Sequence, residues 1–519
     1  MATAAGWGEP RTRGHRVPHA SSPPTAATSW AAVGVAVFLL AALNFLRQLP
    51  EVHSLGAVAF GDPGLGLATD ALVAEGRVPT RDFTYFYGLL GVAVDRAWYA
   101  AVGRTAAADT LFLFACNGLL AWGLLRFGRA VELPPAARWL LAAGVPVAVM
   151  PLRYTSPTHA LDAVLLAHAL AWQARGNHRA AFATAVAGVF VKSALASVYA
   201  TGLLALILFG PRLVPANGRS RLRELIPGAV LGSVVGALLT AWFGVGPVLE
   251  TLFPVAGAKT YEGEGFGFFG GIGRRFWRPE SPSLMYYLFG PAGFWLLASA
   301  VALAGVPGLL RDRRDPRAAA VLACAALHVA FVCLLFGNEL SWMYYSFLPV
   351  LAAAGVVGRG VPRWLAAGLP VVAVCGWVGF GFHGAALWRD RVQTEATGRL
   401  FAPPADAAAW ARVRDLAATE RVLVLTPSGA GRVLFPEVDG VRSSALLPRV
   451  AAAAELDDLA GRLRAADVVV IHDVTGPLFE RWEPFAAELA RFAEVPGLRG
   501  ETFRVLRRMH RRERRNPIE

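Results

Sequence analysis

Apolar blocks of roughly 17 to 25 residues recur along this chain, and that is the length a helix needs to cross about 30 Å of hydrocarbon. Arginine clusters and Pro/Gly corners separate the blocks, so they read as successive spans rather than as one large core. Composition agrees. A soluble domain usually carries about a quarter charged residues, whereas this chain of 519 residues has 17% charged and 55% hydrophobic residues. The net charge of +13 sits mainly in short loops between apolar blocks and in the C-terminal tail. It therefore reads as a topology signal, with the lipid bilayer and no nucleic acid as partner. Cys116, Cys324, Cys333 and Cys375 all fall inside apolar blocks without metal-ligand spacing, which makes them small core residues.

Residues 1–29, rich in Ala, Pro, Ser and Thr, are expected to be disordered and cytoplasmic. A first span is expected at 30–45, kept as an anchor because no small-residue cleavage site follows it. Further spans are expected at 110–125, 136–152, 158–172, 180–209, 225–245, 284–306, 318–336, 341–357 and 364–381. The 180–209 run is too long for one crossing and predicts a tight hairpin, which makes about eleven transmembrane helices in all. With the amino terminus inside, this count puts Arg126 with Arg129, Arg175 with Arg179, and the arginines of 212–223, 311–317 and 359–363 on the cytoplasmic side, as the positive-inside rule asks. The 30–383 membrane domain then has outer segments at 48–103 and 246–283. Residues 384–506 form a small extracytoplasmic α/β domain, with buried strands at 421–426 and 467–472 and helical spacing at 404–418, 454–465 and 478–492. Residues 507–519 follow as a basic tail, solvated or on lipid headgroups.

The first outer segment concentrates acids, a Pro/Gly frame and aromatic residues. It contains Phe60-Gly-Asp-Pro-Gly, then Asp70, then Glu75-Gly-Arg-Val-Pro-Thr-Arg-Asp-Phe-Thr-Tyr-Phe-Tyr-Gly-Leu-Leu90. Here the chain resembles the GT-C glycosyltransferases, membrane enzymes that take a sugar from a polyprenyl-phosphate carrier on the outer face of the membrane. The match runs through Gly76, Pro79, Arg81, Asp82, Phe83, Tyr85, Tyr87, Gly88 and Leu90, with Thr80 and Leu89 where Tyr and Pro are commoner. Asp62 falls where that family places its catalytic acid, although Pro63 replaces the second acid often found beside it. The resemblance implies a polyprenyl-phosphate sugar as donor and a cell-envelope glycan, glycolipid or protein as acceptor. It admits a divalent cation without requiring one.

Transfer from a lipid-phosphate sugar has a ready leaving group, so the protein must deprotonate the acceptor hydroxyl and neutralise the departing phosphate. Asp62 is the candidate general base, against a plain turn at Asp62-Pro63-Gly64. Asp82 is the candidate orienting acid, against a local pair with Arg81, itself a candidate phosphate ligand. Asp70 and Glu75 read as a solvated helix face. Lys192 is one of only two lysines in the chain and lies mid-way along an apolar run. An ionisable residue there is a functional-site hypothesis, against a snorkelling side chain; at a hairpin tip it would face the same surface as Asp62. Arg153 and Tyr154 could add a phosphate contact, and His159 and Asp162, one helical turn apart, could simply pair with each other. The 246–283 segment reads as a mobile outer loop. A transporter or flippase would show paired halves with broken mid-membrane helices, which this sequence lacks; a noncatalytic envelope scaffold would tolerate loss of the acids.

Overall fold

The computed structural model describes residues 29–149, 156–209, 218–253, 291–312, 315–331, 345–357, 361–426, 428–443, 453–473, 476–480 and 482–509. Among the described residues a helix overlaps each stretch where a span is expected, while 150–152, 284–290, 332–336 and 341–344 of those stretches lie outside the described residues. Those helices are Trp30–Arg47, Ala106–Ala130, Pro135–Val149, Pro157–Ala174, His178–Val191, Ser193–Phe209, Gly218–Phe243, Pro291–Arg311, Pro316–Ala330, Phe347–Val356 and Arg363–Asp390. Five stretches, 30–47, 106–130, 221–243, 294–311 and 364–390, are long and apolar enough to cross a membrane on those grounds alone.

The run at 180–209 does break, at Lys192, whose extended backbone (φ −155°, ψ 104°) separates the 178–191 and 193–209 helices. These two helices pack closely, because a Cβ on Gly188 would lie 3.1 Å from that of Ala196. Small residues serve the same end between the 106–130 and 157–174 helices, where Gly123 faces Ala167, as expected where packing rather than hydrophobicity drives helix association. On the 218–243 helix, Leu222, Ile226, Val230, Val234 and Leu238 recur at every fourth position and are all exposed. Four-residue spacing puts them on one helix face, a liability in water and a lipid-facing surface in a bilayer.

The C-terminal region carries a five-stranded sheet in the order Asp439–Gly440, Val422–Leu425, Val468–His472, Phe503–Arg508 and Phe492–Arg499. The first three strands are parallel and the last two antiparallel, with Val422 opposite Val468 and Leu425 opposite Ile471. The central strands are apolar at nearly every position because both faces are covered. Leu423, Leu425, Val469 and Ile471 pack under the Ala453–Ala465 and Glu483–Leu489 helices. Val422, Val424, Val468, Val470 and Phe503 share a core with Trp410 of the Pro404–Ala417 helix and with Leu55, Val58, Phe60, Leu67 and Tyr99 of the first outer segment. The sheet and that segment are therefore joined by a common core. Phe60 is the joint, with its ring 5.2 Å from that of Trp410 and 6.0 Å from that of Phe503. Since Trp410 is fully buried, Trp410→Ala is expected to cost about 3 to 5 kcal/mol, read as a lowered thermal midpoint.

Two expectations for this region need correction. The 478–492 stretch is not one helix: Gly476–Glu480 and Glu483–Leu489 are separate short helices, and residue 492 already opens a strand. Pro484 at the start of the second helix, which cannot continue a preceding one, accounts for the break. Nor does the basic tail begin at 507. Arg507 and Arg508 end a strand, with Arg507 paired to Glu420 and Arg508 donating to Glu488 at 2.9 Å. Residues 1–28 and 510–519 lie outside the described residues, as does most of the 246–283 loop.

Candidate active site

The core around Phe60 sets the position of Asp62. Residues 62–64 form a single 3-10 turn that runs directly into the Leu65–Ala74 helix. Gly64 is required at that turn, because a Cβ would overlap the carbonyl oxygen of Val58 and crowd Ala430 of the C-terminal region. The turn expected at Asp62-Pro63-Gly64 thus exists, and it presents the carboxylate rather than consuming it. Asp62 is exposed, and no hydrogen bond or ion pair to it forms among the described residues. Burial nevertheless raises its pKa above the ordinary carboxylate value.

Asp82 behaves oppositely. It accepts from Arg81 Nε at 2.9 Å and Nη2 at 2.8 Å, and from the Val78 amide at 2.7 Å. The Arg81 hydrogen bonds, with the Val78 amide and the Arg77 charge behind them, hold its carboxyl down to about 2. Arg77 also donates to the Asp82 carbonyl oxygen. Asp82 and Arg81 therefore pair locally and close the 78–82 turn, in which Thr80 takes a positive φ of 66°.

Lys192 meets the 48–103 segment through Gly88. The Gly88 amide donates to the Val191 carbonyl at 2.8 Å, and a Cβ on Gly88 would overlap the carbonyl of Phe190. Close approach of two backbones is what requires glycine here. Gly88→Ala is expected to force the strand-like aromatic segment away from the Lys192 turn, lowering stability by about 1 to 3 kcal/mol. Thermal melts of the purified protein in lipid measure it. Around Lys192 stand Tyr345, whose ring lies 5.5 Å from the ammonium, and Asp162, within electrostatic reach. The Tyr345 hydroxyl donates to Asp162. Tyr87 stacks edge-on against His159 with ring centroids 5.0 Å apart. Gly66, one helical turn beyond Asp62, packs against Pro157 of the helix that carries His159 and Asp162.

The structure corrects two further expectations. His159 and Asp162 do not pair: His159 Nδ1 is 2.7 Å from Ser156 Oγ, while Asp162 takes Tyr345. Asp70 is not on a solvated face but fully buried, paired with Arg96 at 3.1 Å and with Arg104. Both arginines come from the Leu89–Val102 helix and its end, an element with no block of its own in the sequence pattern. Glu75 is half exposed and reaches Arg432 at 2.9 Å. Arg153 and Tyr154 lie outside the described residues. Tyr345 was not singled out in the sequence because it lies inside the apolar run expected to span at 341–357. No group of three or more His, Cys, Asp and Glu side chains that could hold a metal ion occurs among the described residues.

No protein-family model and no curated protein matches the chain by sequence. Solved structures do match. ArnT from Cupriavidus metallidurans, in its apo state, aligns with a TM-score of 0.53 at 12% identity, over 92% of this chain and 98% of that one. The chain thus shares its fold with ArnT. The Archaeoglobus fulgidus oligosaccharyltransferase, in complex with Zn and sulfate, aligns at 0.48 and 12% identity over 88% of this chain and 71% of that one. Mycobacterial arabinofuranosyltransferase AftD gives 0.42 at 17% identity, over 86% and 37%. In this fold the 48–103 segment meets the Lys192 turn at Gly88 and the C-terminal sheet at Phe60.

Proposed function

We propose that the chain transfers a sugar from a polyprenyl-phosphate donor to a hydroxyl of a cell-envelope glycan, glycolipid or protein, on the outer face of the membrane. The observation that carries this reading is the Asp62 carboxylate, exposed and bonded to no described residue, on a segment whose Gly88 end meets the Lys192 turn. Asp62 takes the proton of the acceptor hydroxyl, the freed oxygen bonds to the anomeric carbon, and the bond from that carbon to the phosphate oxygen breaks with its electron pair. The donor is a phosphodiester with one charge and the departing phosphate carries two, so the cation is needed most at the transition state. Lys192 supplies it. Arg81 is the weaker candidate because Asp82 already occupies its guanidinium, and Asp82 serves to hold the loop. Arg153 and Tyr154 would provide the second phosphate contact.

The raised pKa of Asp62 has a consequence for pH dependence. A general base works only when deprotonated, so activity should fall on the acid side through a pKa above the ordinary 3.8 of an aspartate. A profile of kcat/KM against pH checks it, and an acid limb at or below the ordinary value would count against Asp62. The reading as a whole is tested by offering a panel of radiolabelled polyprenyl-phosphate sugars to the purified protein in lipid. Turnover with one donor supports it; no turnover with any, alongside protein-dependent uptake into vesicles, overturns it in favour of transport.

A further inference from the structure

A polar cleft lies between the 77–82 turn and the C-terminal region. Arg77, Arg442 and Arg462 line it together with Asp82, Glu455 and Asp458, over an apolar floor of Val441 and Leu459. Three cations thus face three carboxylates, with Arg462 and Asp458 paired directly. Arg77 donates to the Arg442 carbonyl at 2.8 Å, and Arg462 reaches Asp439 at 3.1 Å and Asp458 at 2.8 Å. Thr84 donates to Glu455 and ties the turn to the cleft wall. Two polar atoms in this lining have no hydrogen-bond partner among the described residues: the Ser443 hydroxyl, on a residue 1% exposed, and Arg462 Nε. Buried polar atoms are nearly always bonded, so an exception calls for an explanation such as a missing ligand.

We propose that this cleft binds a neutral sugar ring of the acceptor. Balanced charge disfavours an anion, which would want a surplus of cations. Alternating donors and acceptors over an apolar floor suit the hydroxyls and the C–H face of a saccharide. The wall is held firmly, since a Cβ on Gly429 would crowd the carbonyl oxygens of Val441 and Ser443 at 2.5 and 2.7 Å. Its position sorts donor from acceptor. One continuous segment, residues 77–88, walls the cleft at Asp82 and meets the Lys192 turn at Gly88. A lipid-borne phosphate belongs at the membrane helices, which leaves the cleft beside the C-terminal region for the partner that arrives from water. This assignment to the acceptor rests on the transfer reading above.

The test uses the full chain in lipid nanodiscs and methyl glycosides of glucose, galactose, mannose and arabinofuranose as probes, with glucose 1-phosphate as the charged control. Saturation-transfer NMR should show saturable binding of at least one neutral glycoside. Ser443→Ala, which removes an unbonded hydroxyl and so should leave the thermal midpoint unchanged, is expected to weaken it about 3- to 10-fold. Arg442→Ala is expected to weaken it by a similar factor. In the transfer assay Ser443→Ala should raise the acceptor KM and leave the donor KM alone. No saturable binding of any neutral glycoside, binding of the sugar phosphate alone, or binding unchanged in both cleft variants overturns the proposal. Glycoside binding that the cleft variants weaken, in a protein that turns over no donor, would uphold the sugar site while removing the transfer reading.

Discussion

Asp62→Asn is expected to slow sugar transfer by about 10²- to 10⁴-fold, the usual contribution of a positioned general base, while leaving the fold unchanged. The second half of that expectation follows from the structure around the residue. Asn has the size and shape of Asp, and no described residue hydrogen-bonds the carboxylate, so the substitution removes a proton acceptor and no contact. Gly64 and Phe60, which fix the turn, are untouched. Asp82→Asn offers the contrast. It would weaken two bonds from Arg81 and one from Val78, and its loss of activity should come with loosening of the 78–82 turn. Turnover and thermal midpoint measured together on the two variants separate the roles. Full activity in Asp62→Asn would remove it as the base; an equal loss of stability in both would make Asp62 merely structural.

The contrast between these two acids shows how far the sequence could be read. Both lie in the matched stretch of the first outer segment, and sequence alone offers each a catalytic and a structural role. What separates them is whether a partner is nearby: Arg81 is adjacent in the chain and captures Asp82, whereas nothing described captures Asp62. Local features were legible for the same reason. The long apolar blocks mark helices, and an isolated lysine in an apolar run marks the break at 192, because a charge and an extended backbone both belong at a helix end. Contacts between distant segments were not legible. Asp70 looks solvated until Arg96 and Arg104 arrive from a later helix, and His159 and Asp162 share a helix face yet take Ser156 and Tyr345 instead. Arg507 and Arg508 look like a charged tail because their carboxylate partners, Glu420 and Glu488, lie on other elements. Gly88 stands between these cases. Its place in the motif was visible, and its reason, the passage of Phe190 across it, was not.

Lys192→Met is expected to lower kcat by about 10²- to 10³-fold, the scale of losing one electrostatic contact to charge that develops in the transition state, with a smaller effect on donor KM. The asymmetry follows from the reaction: the phosphate gains its second charge only as the sugar leaves, so the ammonium interacts more strongly with the transition state than with the bound donor. Met keeps the length and apolar stem of Lys, which preserves packing along Tyr345. It also leaves Asp162, held by Tyr345, without its cation, and a buried carboxylate that loses its partner is costly. A modest drop in thermal midpoint should therefore accompany the kinetic loss, and Lys192→Met combined with Asp162→Asn should recover the stability without recovering kcat. Lys192→Arg keeps the charge but not the point geometry of an ammonium, so it should retain more rate than Met. A snorkelling lysine with no phosphate role predicts a different pattern, with kcat unchanged in Met and Arg alike and the whole effect confined to stability.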